Sequence, residues 1–267
     1  MSIVPSTVAA DLSSRHAPPL GGFNLTALKL EIRRLLRNRR TVVITMIFPV
    51  FFFLIFGLNK AYATDKIGHG NVAAFVMISL GLYGAVFAAT SGGAMVSIER
   101  AQGWSRQLRL TPLSPVAYIL IKVLTALVLG AGSVAVVFIA GALTNKAAMP
   151  DYLWVVSGLS VWVGSLLFAA FGLFMGYLLP TENVMQLMSL ILTLLSFGGG
   201  LFIPLSQFPH LVQEICKWTP LYGLNQLVHT PMLGNGVDWT WVVNVLVWLI
   251  IFIAGATWRF RLDTARV

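Results

Sequence analysis

Six long apolar stretches succeed one another along this chain, separated by gaps of unequal length and polarity. They run over residues 41–58, 72–98, 116–143, 152–179, 184–202 and 239–259. Each approaches or exceeds the roughly 18–20 residues that a helix rising 1.5 Å per residue needs to cross a ~30 Å hydrocarbon core. The pattern predicts an all-α, polytopic membrane protein with six transmembrane helices. The first stretch follows forty residues of chain, with no small-residue cleavage site behind it, so it is expected to stay in the membrane and not to be cleaved as a signal peptide. Its thirteen Val, Ile, Leu and Phe residues favour insertion by about 4–8 kcal/mol before the Thr and Pro49 terms.

Two gaps carry patterns of their own. Before the first stretch, Asn24 reads as an N-cap. Leu25, Leu28, Ile32, Leu35 and Leu36 then fall on one helical face, with Lys29, Arg33, Arg37 and Arg40 on another. The spacing predicts an amphipathic helix over 24–40, lying in the headgroup layer. Between the fifth and sixth stretches, 203–238 is long but apolar. Phe208, Leu211, Val212, Ile215 and Trp218 are helix-spaced, and Leu221, Leu224, Leu227 and Val228 form a second set after Pro220. A free loop of that length and composition is unfavourable, so two short helices dipping back into the membrane are expected. Gly198, Gly199 and Gly200 let the fifth span end or bend, and Pro204 and Pro209 mark the breaks. Residues 1–23 are small, polar and proline-containing and are expected to form a mobile tail, leaving 24–267 as the membrane domain.

Charge fixes the expected orientation. Fourteen of the 18 Lys and Arg lie before the first span, between the second and third, or after the sixth; the other gaps hold only Lys60, Lys66, Lys146 and Lys217. The positive-inside rule then places both termini in the cytoplasm. The net charge of +9 belongs to that side, where it also attracts anionic headgroups; no basic stripe separates from a membrane flank, so nucleic-acid binding is not expected. Lys122 and Glu182, near span ends, are expected to snorkel. The lone Cys216 allows no intrachain disulfide, and the four histidines, outside the spans and on no common face, read as surface or interfacial, with no metal site.

The gap 99–115, ERAQGWSRQLRLTPLSP, exceeds what a connector needs. It holds three arginines, a tryptophan and a helix-compatible run, then Ser114 and Pro115 as N-cap and first-turn proline of the third span. Together with the amphipathic helix and the run GGGLFIPLSQFP…KWTPLYGLNQL over 198–227, this segment resembles the membrane subunit of ABC-2 type exporters, nearest to the daunorubicin-type drug-efflux permeases. The resemblance covers residue 24 to the end. It implies a half-transporter without its own ATPase site, and no G-x-x-x-x-G-K-[ST] loop is present. The implied partners are two ATP-binding subunits carrying ATP and Mg, and a second permease that is a copy of this chain or a sister. This chain itself is expected to bind no cofactor, and a bacterial inner membrane is the expected location.

The resemblance makes the 99–115 segment the coupling helix that docks on the ATPase. Glu99, Arg100, Trp104, Arg106 and Arg109 would carry it, the tryptophan as anchor and the arginines pairing with acids. It also makes the second and fifth spans border the passage, so Tyr83, Gln186, Thr193 and Phe197 are expected to line it. Gly198, Gly199, Gly200, Pro204, Pro209 and Pro220 would shape an outer gate. The mid-depth spans hold no Asp, Glu or His, which argues against a proton-coupled antiporter, and no nucleophile–base set suggests an intramembrane enzyme. The expected cargo is therefore a lipophilic or amphiphilic compound, drug- or lipid-like. A lipid-linked polysaccharide or glycolipid exporter and a non-transport scaffold or sensor are the alternatives. Small residues Gly81, Gly84, Ser91, Gly92 and Gly93 in the second span predict close helix packing.

Overall fold

A computed structural model describes residues 19–103, 113–179 and 184–265. The described residues form helices joined by loops, with one small β-hairpin of two two-residue strands. Asn24 caps α1 (Leu25–Arg37), its side chain accepting from the Thr26 N–H at 2.7 Å. After a helical turn over Arg39–Val42 comes α2 (Val43–Gly57), whose first part, Val43–Ile47, is π-helical. The irregularity has a local cause. Pro49 has no N–H to give the Thr45 carbonyl, and Ser133 from α5 (Pro115–Thr144) supplies the missing donor at 2.6 Å.

A short α3 (Lys60–Thr64) and the hairpin β1 (Lys66–Ile67) and β2 (Gly70–Asn71) lead into α4 (Val72–Ala101). Buried Asn71 fastens this end. It accepts from the Ala74 and Ala148 N–H groups and donates to the Ala63 and Lys146 carbonyls. Past α5, capped by Ser114 and opened by Pro115 as expected, lie α6 (Asp151–Gly164) and α7 (Leu166–Leu178), one span interrupted at Ser165. Then come α8 (Val184–Gly198), α9 (His210–Lys217), α10 (Pro220–Leu233) and α11 (Trp239–Ala265).

Helix α4 is the core. Of its apolar stretch 78% is buried, against 11% for α11, which stands at the periphery along α7 and α10. The small residues of α4 allow this. A Cβ on Gly93 would lie 2.5 Å from the Leu173 nitrogen, one on Gly172 2.3 Å from the Thr90 carbonyl oxygen, and one on Gly92 2.6 Å from the Ala126 Cβ. α5 and α7 therefore cross α4 at backbone distance, as the glycines and Ser91 predict.

Among the described residues, four helices are long and apolar enough to cross a membrane: Val72–Ala101, Val116–Thr144, Asp151–Leu178 and Trp239–Phe260. The first and fifth expected spans appear as shorter apolar helices, Val43–Gly57 and Val184–Gly198. The fifth ends four residues earlier than the hydrophobic run because the glycines close it. Gly200, at φ +75°, lets the Leu201 N–H reach the Ser196 carbonyl and its own N–H the Phe197 carbonyl, the Schellman arrangement.

Candidate functional site

At the end of the bundle that carries α1, three helices bring ionised groups into one buried knot. Glu99 lies near the end of α4, and Tyr118 and Lys122 in the first two turns of α5; Glu31 and Arg34 sit one turn apart on α1. Lys122 Nζ donates to Glu99 Oε1 at 2.5 Å and also to Glu31. Arg34 donates to the same Glu99 oxygen at 2.6 Å and lies 3.5 Å from Glu31. The Tyr118 hydroxyl donates to the other Glu99 oxygen. Lys122 is only 4% exposed and Glu99 3%. Two carboxylates against two cations leave the knot neutral, the condition for burying charge at all. Burial would lower the Arg34 pKa, but Glu31 and Glu99 beside it raise it above its ordinary value, so the guanidinium keeps its charge.

This corrects one expectation. Lys122 does not snorkel; it points into the protein and holds two acids. The signal was present in the sequence as a lysine inside an apolar helix and two acids among basic flanks, each needing a partner at membrane depth. Of the expected coupling residues, Glu99 is spent on this knot. Arg100 turns the other way, donating to the Gly176 and Tyr177 carbonyls at 3.3 and 3.0 Å and lying over the Tyr177 ring. Ser97 adds a bond to the Leu179 carbonyl. The end of α4 is thus fastened to α1 and α5 on one side and to the end of α7 on the other. Trp104, Arg106 and Arg109 lie outside the described residues, as do Glu182 and most of the 1–23 tail.

Beside the knot opens a cleft of about 440 Å³ between α1, α2, α4 and α8. Its wall is apolar (Leu35, Ile44, Phe87, Leu192) with three methionines, Met95, Met185 and Met188, and carries the amides and hydroxyls of Asn38, Thr41, Ser91, Gln186 and Ser189. Among the described residues no charged side chain lines it. Of the four residues expected to line a passage, Gln186 is here. The other three gather farther along α8. The Tyr83 hydroxyl meets Thr193, its ring lies 5.2 Å from Phe202, and Phe197 stands edge-on to Phe202 at 5.4 Å.

At the opposite end the glycine and proline positions act as local punctuation. Gly198–Gly200 close α8, Pro204 and Pro209 precede a 3-10 turn and α9, and Pro220 opens α10. α9 turns Leu211, Ile215 and Trp218 outward, all more than 60% exposed, while α10 is buried. The histidine expectation fails at one position. His229 is buried, its ring 4.1 Å from Phe75, with Nε2 3.2 Å from the Ser79 hydroxyl and Nδ1 2.9 Å from the Asn225 carbonyl. Burial pushes its pKa below the ordinary value. Nothing local announced this, because Ser79 and Phe75, which enclose the ring, come from about 150 residues away.

Comparison with known proteins agrees with this architecture. A curated relative from Bacillus subtilis (strain 168), named "Putative transport permease YvfS", is 28% identical over 224 residues, covering 83% of this chain and 90% of its own length. The family model described as ABC-2 type transporter matches residues 24–233, from the cap of α1 to the end of α10. By that match over most of its length, the chain belongs to the ABC-2 type transporter family.

Proposed function

We propose that this ABC transporter permease exports an uncharged lipophilic or amphiphilic compound, energised by separate ATP-binding subunits. The observation that carries the cargo class is the cleft. Its volume suits a drug-sized molecule or part of a lipid, and its lining combines adaptable methionines and aliphatic groups with a few neutral hydrogen-bonding side chains. Among the described residues, a charged cargo would find no counter-ion there, and a glycan would find one aromatic ring, Phe87, where a sugar path needs several.

In this reading the basic end faces the cytoplasm. The chain crosses the membrane six times, with α2 continued by the Arg39–Val42 turn and α8 as the two shorter spans. Two such permeases, copies or sisters, meet two ATPases whose ATP and Mg remain on those subunits. The stretch 99–115 receives the ATPase, with Trp104, Arg106 and Arg109 as its contacts. Cargo reaches the cleft from the inner leaflet and leaves past the Tyr83–Thr193–Phe197 cluster. α9, with its apolar side outward, lies in the outer leaflet.

The test is a pull-down from native membrane, followed by ATP hydrolysis of the captured complex in lipid nanodiscs. Nile red or a short-chain phosphatidylcholine should stimulate hydrolysis, and Gln186→Leu with Ser189→Ala should weaken that response. Stimulation by a lipid-linked oligosaccharide alone replaces this reading with glycan export. A chain that captures no ATPase is a scaffold, and the transport reading falls.

A further inference from the structure

We infer that Glu31 and Arg34 are positioning residues: they fasten α1 to the ends of α4 and α5, so that displacement of those ends moves one wall of the cleft. The inference rests on the exporter reading, in which an ATPase pushes on the stretch between α4 and α5.

The geometry makes a short lever. α1 is one rigid helix of 13 residues. Its Glu31 and Arg34 are held by Lys122 and Glu99, which belong to the two helices flanking the coupling stretch. One turn farther on, roughly 5 Å along the axis, α1 presents Leu35 and then its cap residue Asn38 to the cleft. Leu35 packs on Ala88 and Leu129, with Met46 and Met95 around it, and is the one buried residue of the helix. Leu25, Leu30 and Leu36 stand exposed. The turn before α1 is tied in the same direction, since the Ser114 N–H donates to the Gly21 carbonyl at 2.7 Å.

Ionic attachment suits transmission better than apolar contact. Leucines against leucines slide at little cost, and a helix held that way could stay behind while α4 and α5 shift. Glu99 and Lys122 are buried and the Glu31 side chain is only 14% exposed, so sliding α1 would leave charges poorly paired at a nearly dry site, and this holds the register of α1 against Glu99 and Lys122. A neutral four-charge knot adds little net stability over apolar packing, and its presence is explained by the orientation it enforces.

The design of the knot allows α1 to be released without stranding a buried charge. Glu31→Gln with Arg34→Gln leaves Lys122 and Glu99 paired with each other and with Tyr118. In a Cys216→Ser background, spin labels on Leu36→Cys and Leu190→Cys report the distance across the cleft by pulsed electron resonance. The full chain is captured with its ATPase and measured without nucleotide and after vanadate trapping with ATP. The parent distribution should shift on trapping. The double variant, with ATP hydrolysis within about twofold of the parent, should not shift, and Arg34→Lys should behave as the parent. If the double variant does not assemble, the single variants Glu31→Gln and Arg34→Gln are read instead, and each should reduce the shift. A variant that shifts as the parent does, or a hydrolysing parent with no shift, overturns the linkage and leaves the exporter reading standing. A chain that captures no ATPase overturns both.

Discussion

Replacing Lys122 with Met removes the buried cation of the knot, which bonds both acids, while keeping most of the side-chain volume. In the parent, Glu31 and Glu99 each place an oxygen no more than 2.5 Å from the same nitrogen, so those oxygens are at most about 5 Å apart. Without the ammonium, the two carboxylates repel by about 3 kcal/mol at an effective dielectric constant of 20. Arg34 offsets part of this, but it is 44% exposed and reaches Glu31 only at 3.5 Å. Glu99 also loses a charge-assisted hydrogen bond in a site where 3% of its surface meets solvent. The expected destabilisation is about 3–5 kcal/mol, the range for removing one partner of a buried pair.

The assay is equilibrium unfolding in mixed micelles, followed by the fluorescence of the eight tryptophans. A double-mutant cycle with Glu99→Gln isolates the interaction. Glu99→Gln with Lys122→Met leaves Glu31 to Arg34 and no unmatched charge in the driest part of the site. The pair of changes should therefore cost about 2 kcal/mol less than the sum of the two single changes. A cost under about 1 kcal/mol for Lys122→Met, or additivity within about 0.5 kcal/mol, would mean that water screens these groups as it screens a surface pair, and the reasoning would be refuted.

Other positions give independent checks in the same assay. Gly172→Ala places a methyl 2.3 Å from the Thr90 oxygen and should destabilise by about 1–3 kcal/mol, whereas Gly236→Ala, with open space around it, should not. Ser133→Ala leaves the Thr45 carbonyl unpaired where Pro49 interrupts the helix, and about 1–3 kcal/mol should be lost. His229 is held below its ordinary pKa of 6.5, so the unfolded chain takes up its proton first as pH falls. Its contribution is complete above 6.5 and declines below it; the parent's midpoint should drop there more steeply than that of His229→Asn. Glu214→Gln on α9 breaks a pair whose side chains are nearly half exposed and should leave the midpoint unmoved.

What the sequence discloses here is set by how far a residue's partner lies along the chain. Asn24 and Ser114 cap helices through bonds to residues two and three positions on, and both are readable from local spacing. The glycines of α4 are readable as a need for close approach, though not as an assignment of Gly92 to α5 and Gly93 to α7. Hydrophobicity alone puts the end of α8 too late, because it continues through Leu201 and Phe202 while the backbone turns at Gly200. Counting cations by gap treats each as a solvated point and so hides the role of Lys122, whose partners are 91 and 23 residues away. His229 and Asn71 belong with it: each has a local partner on the chain but is completed by groups distant in sequence. For a chain of this kind an ionisable residue inside or at the edge of an apolar run fixes that a partner must exist, since hydrocarbon offers none. The helix that supplies it is decided by tertiary packing. In this fold the amphipathic helix supplies it, and the same helix forms a wall of the cleft. The acids and bases first counted as membrane flanks thereby connect the end that receives force to the surface proposed to receive cargo.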